Sequence, residues 1–326
     1  MSQEFVNLEK FGLSDEELFS HVDHSALESE KITAPRYSYW RSVFRVFFRK
    51  KTSIVMLALL VFILLVSFIM PSFWPYDPFE NVTNAATYSL TPAKAMDYFG
   101  GFSFKWLLGT GTMGNSILYG IVSGARTSLL LAVICAAINM TIGIIIGAIW
   151  GYSKKFDSVM LVVYNIIANV PYILLITVLV YVIGSGFWSF VFALTVTGWL
   201  SIAYFFRTQV MIIRDREYSL ASRCLGTPVN RVISKNILPF LTSVIVTLLA
   251  SELPSYISME VFLSYIGVGL SANVPSLGRM IQNAQSAFLT YPWQFWPPVA
   301  VASAITIILY VLGQNLADAS DPRTHM

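Results

Sequence analysis

The sequence predicts an all-α membrane protein of six transmembrane helices with both termini on the cytoplasmic side, and three observations carry that prediction. Of its 326 residues 56% are hydrophobic and only 12% charged, against about 25% charged in an ordinary soluble chain, and the mean hydropathy is +0.65. The apolar residues gather into six runs, each long enough to cross a bilayer as a helix of about 20 residues. Of the 21 Lys and Arg, 17 fall on one side of those runs and four on the other, the asymmetry that marks the cytoplasmic face. The runs exceed any strand and show no alternation of apolar and polar residues, which excludes a barrel.

Residues 1–51 form an N-terminal tail. Eight acidic residues lie between Glu4 and Glu30, against Lys10 and Lys31 alone in the first 34 positions, and residues 35–326 carry net +9 although the whole is only +3. A basic balance in so apolar a chain reports topology rather than nucleic-acid binding. Ser14 and Glu17 fit a capping box with Leu13 and Leu18 as its staple, which predicts a short amphipathic cytosolic helix, either a solvated tail or a docking element. The first apolar run begins only after about 50 polar residues, unlike a cleavable signal peptide.

The first span is 52–72. An external stretch, 73–126, comes next and opens with Phe73, Trp74, Pro75, Tyr76, Pro78 and Phe79. It is far longer than ordinary loops and reads as a cover for a pore mouth, a surface for an external partner, or an ordered cap. Asn81, Val82 and Thr83 spell a glycosylation sequon, a triplet common by chance.

Residues 127–316 hold the remaining five spans. Span two, Thr127 to Ser153, carries Gly143, Gly147 and Gly151 on one face, where another helix can approach closely. Span three, Ser158 to Gly184, contains Asn165, Asn169 and Pro171; span four is Phe187 to Phe206. Span five, Ile237 to Ile266, contains Glu252, Pro254 and Glu260, and span six is Trp293 to Leu316, before a short tail, 317–326. Spans three and five are the irregular helices by their proline and polar content.

Chemistry is narrowed by absence in the sequence itself. Cys135 and Cys224 sit in unlike surroundings and predict neither a disulfide nor a metal site. His21, His24 and His325 lie outside every apolar run. No metal or cofactor is expected. Glu252 and Glu260 are the sharp intramembrane residues, each costing roughly 2.5 to 3.5 kcal/mol on insertion scales unless paired or facing a polar cavity. They stand eight positions apart, about 80° around an ideal helix. Each serves either the translocation path, together with Asn165 and Asn169, or a helix-helix hydrogen bond.

The longest basic internal loop, 207–236, joins spans four and five. Glu217 to Leu225 contains no helix breaker, and Gly226 sits where a left-handed residue ends a helix. Thr227 then supplies an N-cap and Pro228 a first helical position for a second helix running to Pro239. Ala221 and Ser222 leave part of the unit free of bulk.

The stretch Glu217-Tyr-Ser-Leu-Ala-Ser-Arg-Cys-Leu-Gly226, trailed by Ile237-Leu-Pro239, resembles the cytoplasmic E-Y-x-x-A-A-x-x-L-G loop of ABC importer permeases. Gly124-Ala-Arg-Thr-Ser-Leu129, Glu260 to Gly269, Pro275-Ser-Leu-Gly278 and Asp318-Ala-Ser-Asp-Pro-Arg323 extend the likeness to the C-type transmembrane subunit of the oligopeptide and dipeptide branch. Gly109 to Asn115 lacks the Asp and Arg-Asp of that branch's usual motif, and Asn165 stands where an Asp is common. The resemblance implies a type I importer permease fold in the bacterial plasma membrane. It implies a homologous B-type permease, two ATP-binding subunits and an external substrate-binding protein as partners, with peptide as substrate. It further implies that Glu217, Tyr218, Ala221, Ser222, Leu225 and Gly226 couple the chain to its ATPase. The chain has no G-x-x-x-x-G-K-[S/T] phosphate loop, so it is not itself expected to hydrolyse ATP. Dipeptides or nickel chelates are alternative cargoes within the family. A proton-coupled carrier or intramembrane enzyme built on Glu252 and Glu260 is the rival from another class.

Overall fold

The computed structural model describes residues 38–321; the capping box at Ser14 and Glu17, the rest of the acidic tail and residues 322–326 lie outside the described residues. Among the described residues the secondary structure is helical, without a strand. Five helical stretches among the described residues are long and apolar enough to cross a membrane, and a bent pair of helices makes a sixth candidate when taken as one span.

The chain enters through α1, Tyr39–Arg49, and α2, Lys51–Phe73. On α1 a line of exposed aromatic residues, Trp40, Phe44 and Phe48, runs beside a line of arginines, Arg41, Arg45 and Arg49, while Val43 and Phe47 are buried. The segment after α2 contains a short helix, α3, Pro92–Tyr98. It is an ordered cap: Asn81 Nδ2 donates to the Gly114 carbonyl at 3.0 Å, and Asn115 Nδ2 to the Tyr76 hydroxyl at 2.6 Å. Gln294 Nε2 ties the cap to the last span through the Thr110 carbonyl at 3.0 Å. The sequon side chain of Asn81 is thus committed within the cap.

Span two is α4, Ile117–Tyr152, and it begins ten residues before the sequence-predicted start at Thr127. Ser116 caps it by accepting the Tyr119 amide at 3.2 Å. The charge of Arg126 suggested a boundary, but its guanidinium lies over the Phe68 ring at 5.6 Å, so the helix carries it without ending there. The external stretch therefore closes at Ser116.

Span three breaks as expected, into α5, Lys154–Ala168, and α6, Tyr172–Ile183, bent by 76° where Pro171 withholds an amide. Span four is also two helices, α7, Phe187–Thr195, and α8, Trp199–Arg214. It extends eight residues beyond its expected end at Phe206, so residues 207–214 are helix rather than loop. Their charges explain this. Arg207 forms a two-pronged ion pair with Asp157 of α5, its Nη2 lying 2.9 Å from Oδ2, and stands over the Trp150 and Tyr204 rings. Arg214 pairs with Asp215 and donates to the Gly151 carbonyl at 2.9 Å. Paired and stacked cations are compatible with a helix end that a charge count excludes.

Span five corrects the expectation that Pro254 disturbs it. Its main helix, α10, Thr242–Tyr265, runs through Pro254 without interruption, and the irregularity lies upstream: an α turn at Val229–Arg231, a wide π turn at Val232–Ile237 and a 3-10 turn at Leu238–Leu241. A short helix, α11, Leu277–Ala284, leads to span six, α12, Pro292–Ser320.

The glycine stripe of span two finds its partner in α8. A Cβ at Gly143 would stand 2.7 Å from Ile202 Cγ2, one at Gly147 2.6 Å from the Ala203 carbonyl oxygen, and one at Gly151 2.5 Å from that of Arg207. The two helices approach closely over about two turns, the geometry that packing drives in the absence of a hydrophobic effect between helices. The core proper gathers Leu131, Ile176, Leu194, Ile257, Leu277 and Ile305, from spans two to six and α11. Lys50 Nζ pairs with Asp318 Oδ2 at 2.8 Å, and Asn315 Nδ2 donates to Thr52 Oγ1 at 3.4 Å. The start of the first span and the end of the last thus share one end of the bundle, as an even number of crossings requires.

Candidate functional site

The loop between spans four and five folds as the sequence punctuates it, with one correction. Its helix α9 is Glu217–Cys224. Gly226 takes φ +75°, its amide bonds to the Arg223 carbonyl at 3.0 Å and the Thr227 amide to that of Ser222 at 3.1 Å, a closure that needs a left-handed residue at 226. Thr227 is consumed by that closure and does not cap the next helical turn. Pro228 holds the N-cap position instead, its carbonyl accepting the Arg231 and Val232 amides at 2.9 and 3.1 Å.

Two side chains fasten α9 to the irregular start of span five. Asn236 Nδ2, in the π turn, donates to Ser222 Oγ at 2.6 Å, and the Tyr218 and Phe240 rings lie 5.0 Å apart. Arg223 reaches over the Tyr152 ring at the end of span two. Glu217, Ala221, Leu225 and Gly226 face outward, with Leu225 86% exposed and Leu220 and Val229 also uncovered. Ser222 is therefore a fastening rather than part of the open face. Beside the loop, the Arg214 guanidinium and its hydrogen bonds hold the Asp215 carboxyl below the ordinary carboxylate range. The short helix thus presents Leu220 and Leu225 outward and is fastened at two points to span five.

Deeper in the bundle a cavity of about 450 Å³ opens between the break in span three, the turn in span four and α10, lined by Pro171, Tyr172, Thr197, Ser201, Glu252 and Tyr256 among others. Non-helical backbone at membrane depth is tolerated only where protein buries it or water lines it, and both breaks border this space. Buried Asn139 of span two donates to the Tyr256 hydroxyl at 2.6 Å and to the Leu194 carbonyl at 3.3 Å, and the Tyr172 hydroxyl reaches the same carbonyl at 2.9 Å. Asn165 and Asn169 do not line the cavity. They are exposed on the outside of the break, with Asn169 Nδ2 bonded to the Asn165 carbonyl at 2.5 Å.

The two intramembrane glutamates part company. Glu252 is half-buried at the cavity. Glu260 is fully buried and takes hydrogen bonds from Ser128 Oγ at 2.8 Å and Ser264 Oγ at 3.0 Å. Ser128 also receives the Leu277 amide at 3.2 Å. Three of the stretches that carry the sequence resemblance, 124–129, 260–269 and 275–278, thus meet at one buried carboxylate.

Sequence reasoning passes over Ser128, Asn139, Tyr256 and the Asp157–Arg207 pair. Asn139 carries the clearest signal, an amide side chain inside the apolar run of span two. Ser128 lies within the Gly124 to Leu129 motif, whose role stays open until its partner 132 residues away is known.

Comparison with known proteins agrees with this geometry. Residues 139–326 match the family described as binding-protein-dependent transport system inner membrane component, and residues 38–92 match the N-terminal TM domain of oligopeptide transport permease C. The chain is 47% identical over 311 residues to the oligopeptide transport system permease protein AmiD of Streptococcus pneumoniae, covering 95% of this chain and 98% of that one. It is 31% identical to the oligopeptide transport system permease protein OppC of Bacillus subtilis, over 94% and 97% of the two chains. It is 33% identical to the dipeptide transport system permease protein DppC of the same organism, over 91% and 89%. With its bundle of spans, its fastened loop helix and matches that run nearly end to end, the chain belongs to the binding-protein-dependent transport system inner membrane component family and is a membrane-embedded ABC permease subunit.

Proposed function

We propose that this chain forms half of the translocation path of an ATP-driven oligopeptide importer, beside a homologous B-type permease, with two ATP-binding subunits at its cytoplasmic face and an external binding protein delivering peptide. Both termini and the 215–228 loop lie in the cytoplasm in this reading, which the distribution of Lys and Arg supports. The observation that carries the proposal is the fastening of α9 to span five through Asn236 and Ser222. ATP-driven closure of the motor subunits moves α9, and α10 transmits the movement to the wall of the cavity that contains Glu252. Oligopeptides are favoured as cargo by the relative at 47% identity, whose name specifies them.

The confinement of Glu260 among serines, away from the cavity, weighs against an acid and base pair with Glu252, because two such groups must converge on one reacting atom. The test is purification of the tagged chain from its native membrane, then reconstitution of whatever accompanies it. Accompaniment by an ATPase and a binding protein, with ATP-dependent uptake of a labelled oligopeptide into proteoliposomes, is expected. Uptake driven by a proton gradient without ATP overturns the reading.

A further inference from the structure

We infer that the cavity beside Glu252 is a resting site for a cationic group carried by the peptide in transit, either its α-ammonium or a basic side chain. The inference rests on the reading of this chain as a peptide permease. Its ground is the composition and wiring of the cavity wall. Among the described residues that line the space, Glu252 is the one acidic group, and none is Lys, Arg or His. Tyr164, Tyr172 and Tyr256 contribute aromatic rings, surfaces that attract an ammonium or guanidinium group through the ring quadrupole. The hydroxyls of Ser201 and Ser255 also border the space, and Thr197 Oγ1, on the same wall, is buried without a partner.

The hydrogen bonds around Glu252 have a direction. Asn139 donates to Tyr256 Oη at 2.6 Å, so that oxygen is already an acceptor and its own proton is left for another partner; the Glu252 carboxylate stands one turn away on the same helix and interacts with it. Glu252 borders the cavity, so the acceptor positions of its carboxylate that Tyr256 does not engage are open to a donor with positive charge. A space of about 450 Å³ holds a chain terminus or one side chain rather than a whole oligopeptide. An arginine or lysine already in the wall would cancel this preference. Arg207, further along the helix that bears Ser201, is committed to Asp157.

The experiment uses the complete complex in proteoliposomes, with binding protein and peptide saturating so that capture does not limit the rate. Initial ATP-dependent uptake is measured for an oligopeptide with a free amino terminus and one lysine, for its N-acetylated form, and for the form with norleucine in place of lysine. Wild type, Glu252→Gln and Glu252→Asp are compared. Removal of whichever charge the site uses is expected to slow wild-type uptake about tenfold, the worth of one charge-assisted hydrogen bond, and the two chemical changes distinguish amino terminus from side chain. Glu252→Gln is expected to slow the charged peptide by a similar factor without further slowing the peptide that lacks that charge, and Glu252→Asp to restore most of the preference. Equal slowing of all three peptides by Glu252→Gln, or no slowing of any, overturns the inference, as does a wild-type rate indifferent to peptide charge. Absence of ATP-dependent uptake of every peptide by the wild-type complex overturns the peptide-permease reading, and the inference with it.

Discussion

The Ser128 hydroxyl donates to Glu260 Oε2 at 2.8 Å while accepting the Leu277 amide at 3.2 Å, so one small side chain joins spans two and five to α11. Replacing Ser128 with Ala leaves a buried carboxylate oxygen and a buried amide each short of a partner. The expected loss of stability is about 1–3 kcal/mol, read as a lower Tm of the purified complex in detergent. An unchanged Tm removes Ser128 from its role as a joint.

The close approach of α4 and α8 yields a second prediction. At Gly147 an added Cβ stands 2.6 Å from the Ala203 carbonyl oxygen and 2.9 Å from Phe206 Cβ, and backbone on both sides leaves little room to yield. Gly147→Ala is expected to cost about 1–3 kcal/mol, as overpacking does, and Gly147→Leu to reduce the amount of folded chain in the membrane. Quantitative detection of membrane-inserted protein, with Tm for the Ala variant, checks both.

Gly226 behaves in the opposite manner. A side chain there meets nothing within 4 Å, but the backbone is left-handed at φ +75°, a conformation costing roughly 1–2 kcal/mol for an ordinary residue. Gly226→Leu should therefore assemble normally yet alter how α9 ends, separating ATP hydrolysis from uptake. Gly226→Asn, tolerant of this conformation, should remain close to wild type. The ratio of ATP hydrolysed to peptide imported is the measurement, and a wild-type ratio in the Leu variant defeats the lever assignment.

The cap has a pH limit of its own. Burial pushes the Tyr76 hydroxyl from its ordinary 10.0 to about 12. A group whose folded pKa is raised contributes its stability fully below the unfolded value and loses it as pH rises through the folded one. The contribution of Tyr76 is thus intact below pH 10 and fades between 10 and about 12. Alkaline titration read by tyrosinate absorbance, compared with Tyr76→Phe, should show one late-titrating tyrosine missing from the variant; titration of all tyrosines near 10 contradicts it.

What was legible in the sequence was whatever rests on composition and local rules. Six apolar runs identify spans because hydrocarbon demands length and lack of charge, and Gly226 ends α9 because only a residue at ease with positive φ closes a helix that way. The errors occur where a distant partner changes the cost of a residue. Arg126 and Arg207 look like boundaries until Phe68 and Asp157 are beside them. Pro254 looks disruptive and is absorbed, whereas Pro239, read only as an end mark, sits in the irregular turns. The candidate site divided in the same way. The outward residues of α9 accord with motif spacing, but the separation of Glu252 from Glu260 depends on which helices pack against each face, and Asn165 and Asn169 differ from Tyr256 and Asn139 by orientation rather than by chemistry.

The wide turn at Val232–Ile237 has an implication for how span five can move. A π turn carries roughly one residue more than an α turn, and a helix that expels the extra residue rotates everything beyond it by about 100°. This slack lies at Asn236, the point that α9 grips, and Glu252 lies downstream on the same rod. Span five thus departs from α geometry where α9 is fastened to it and is a regular helix from Thr242 onward, so the join between loop and rod is where its backbone carries slack.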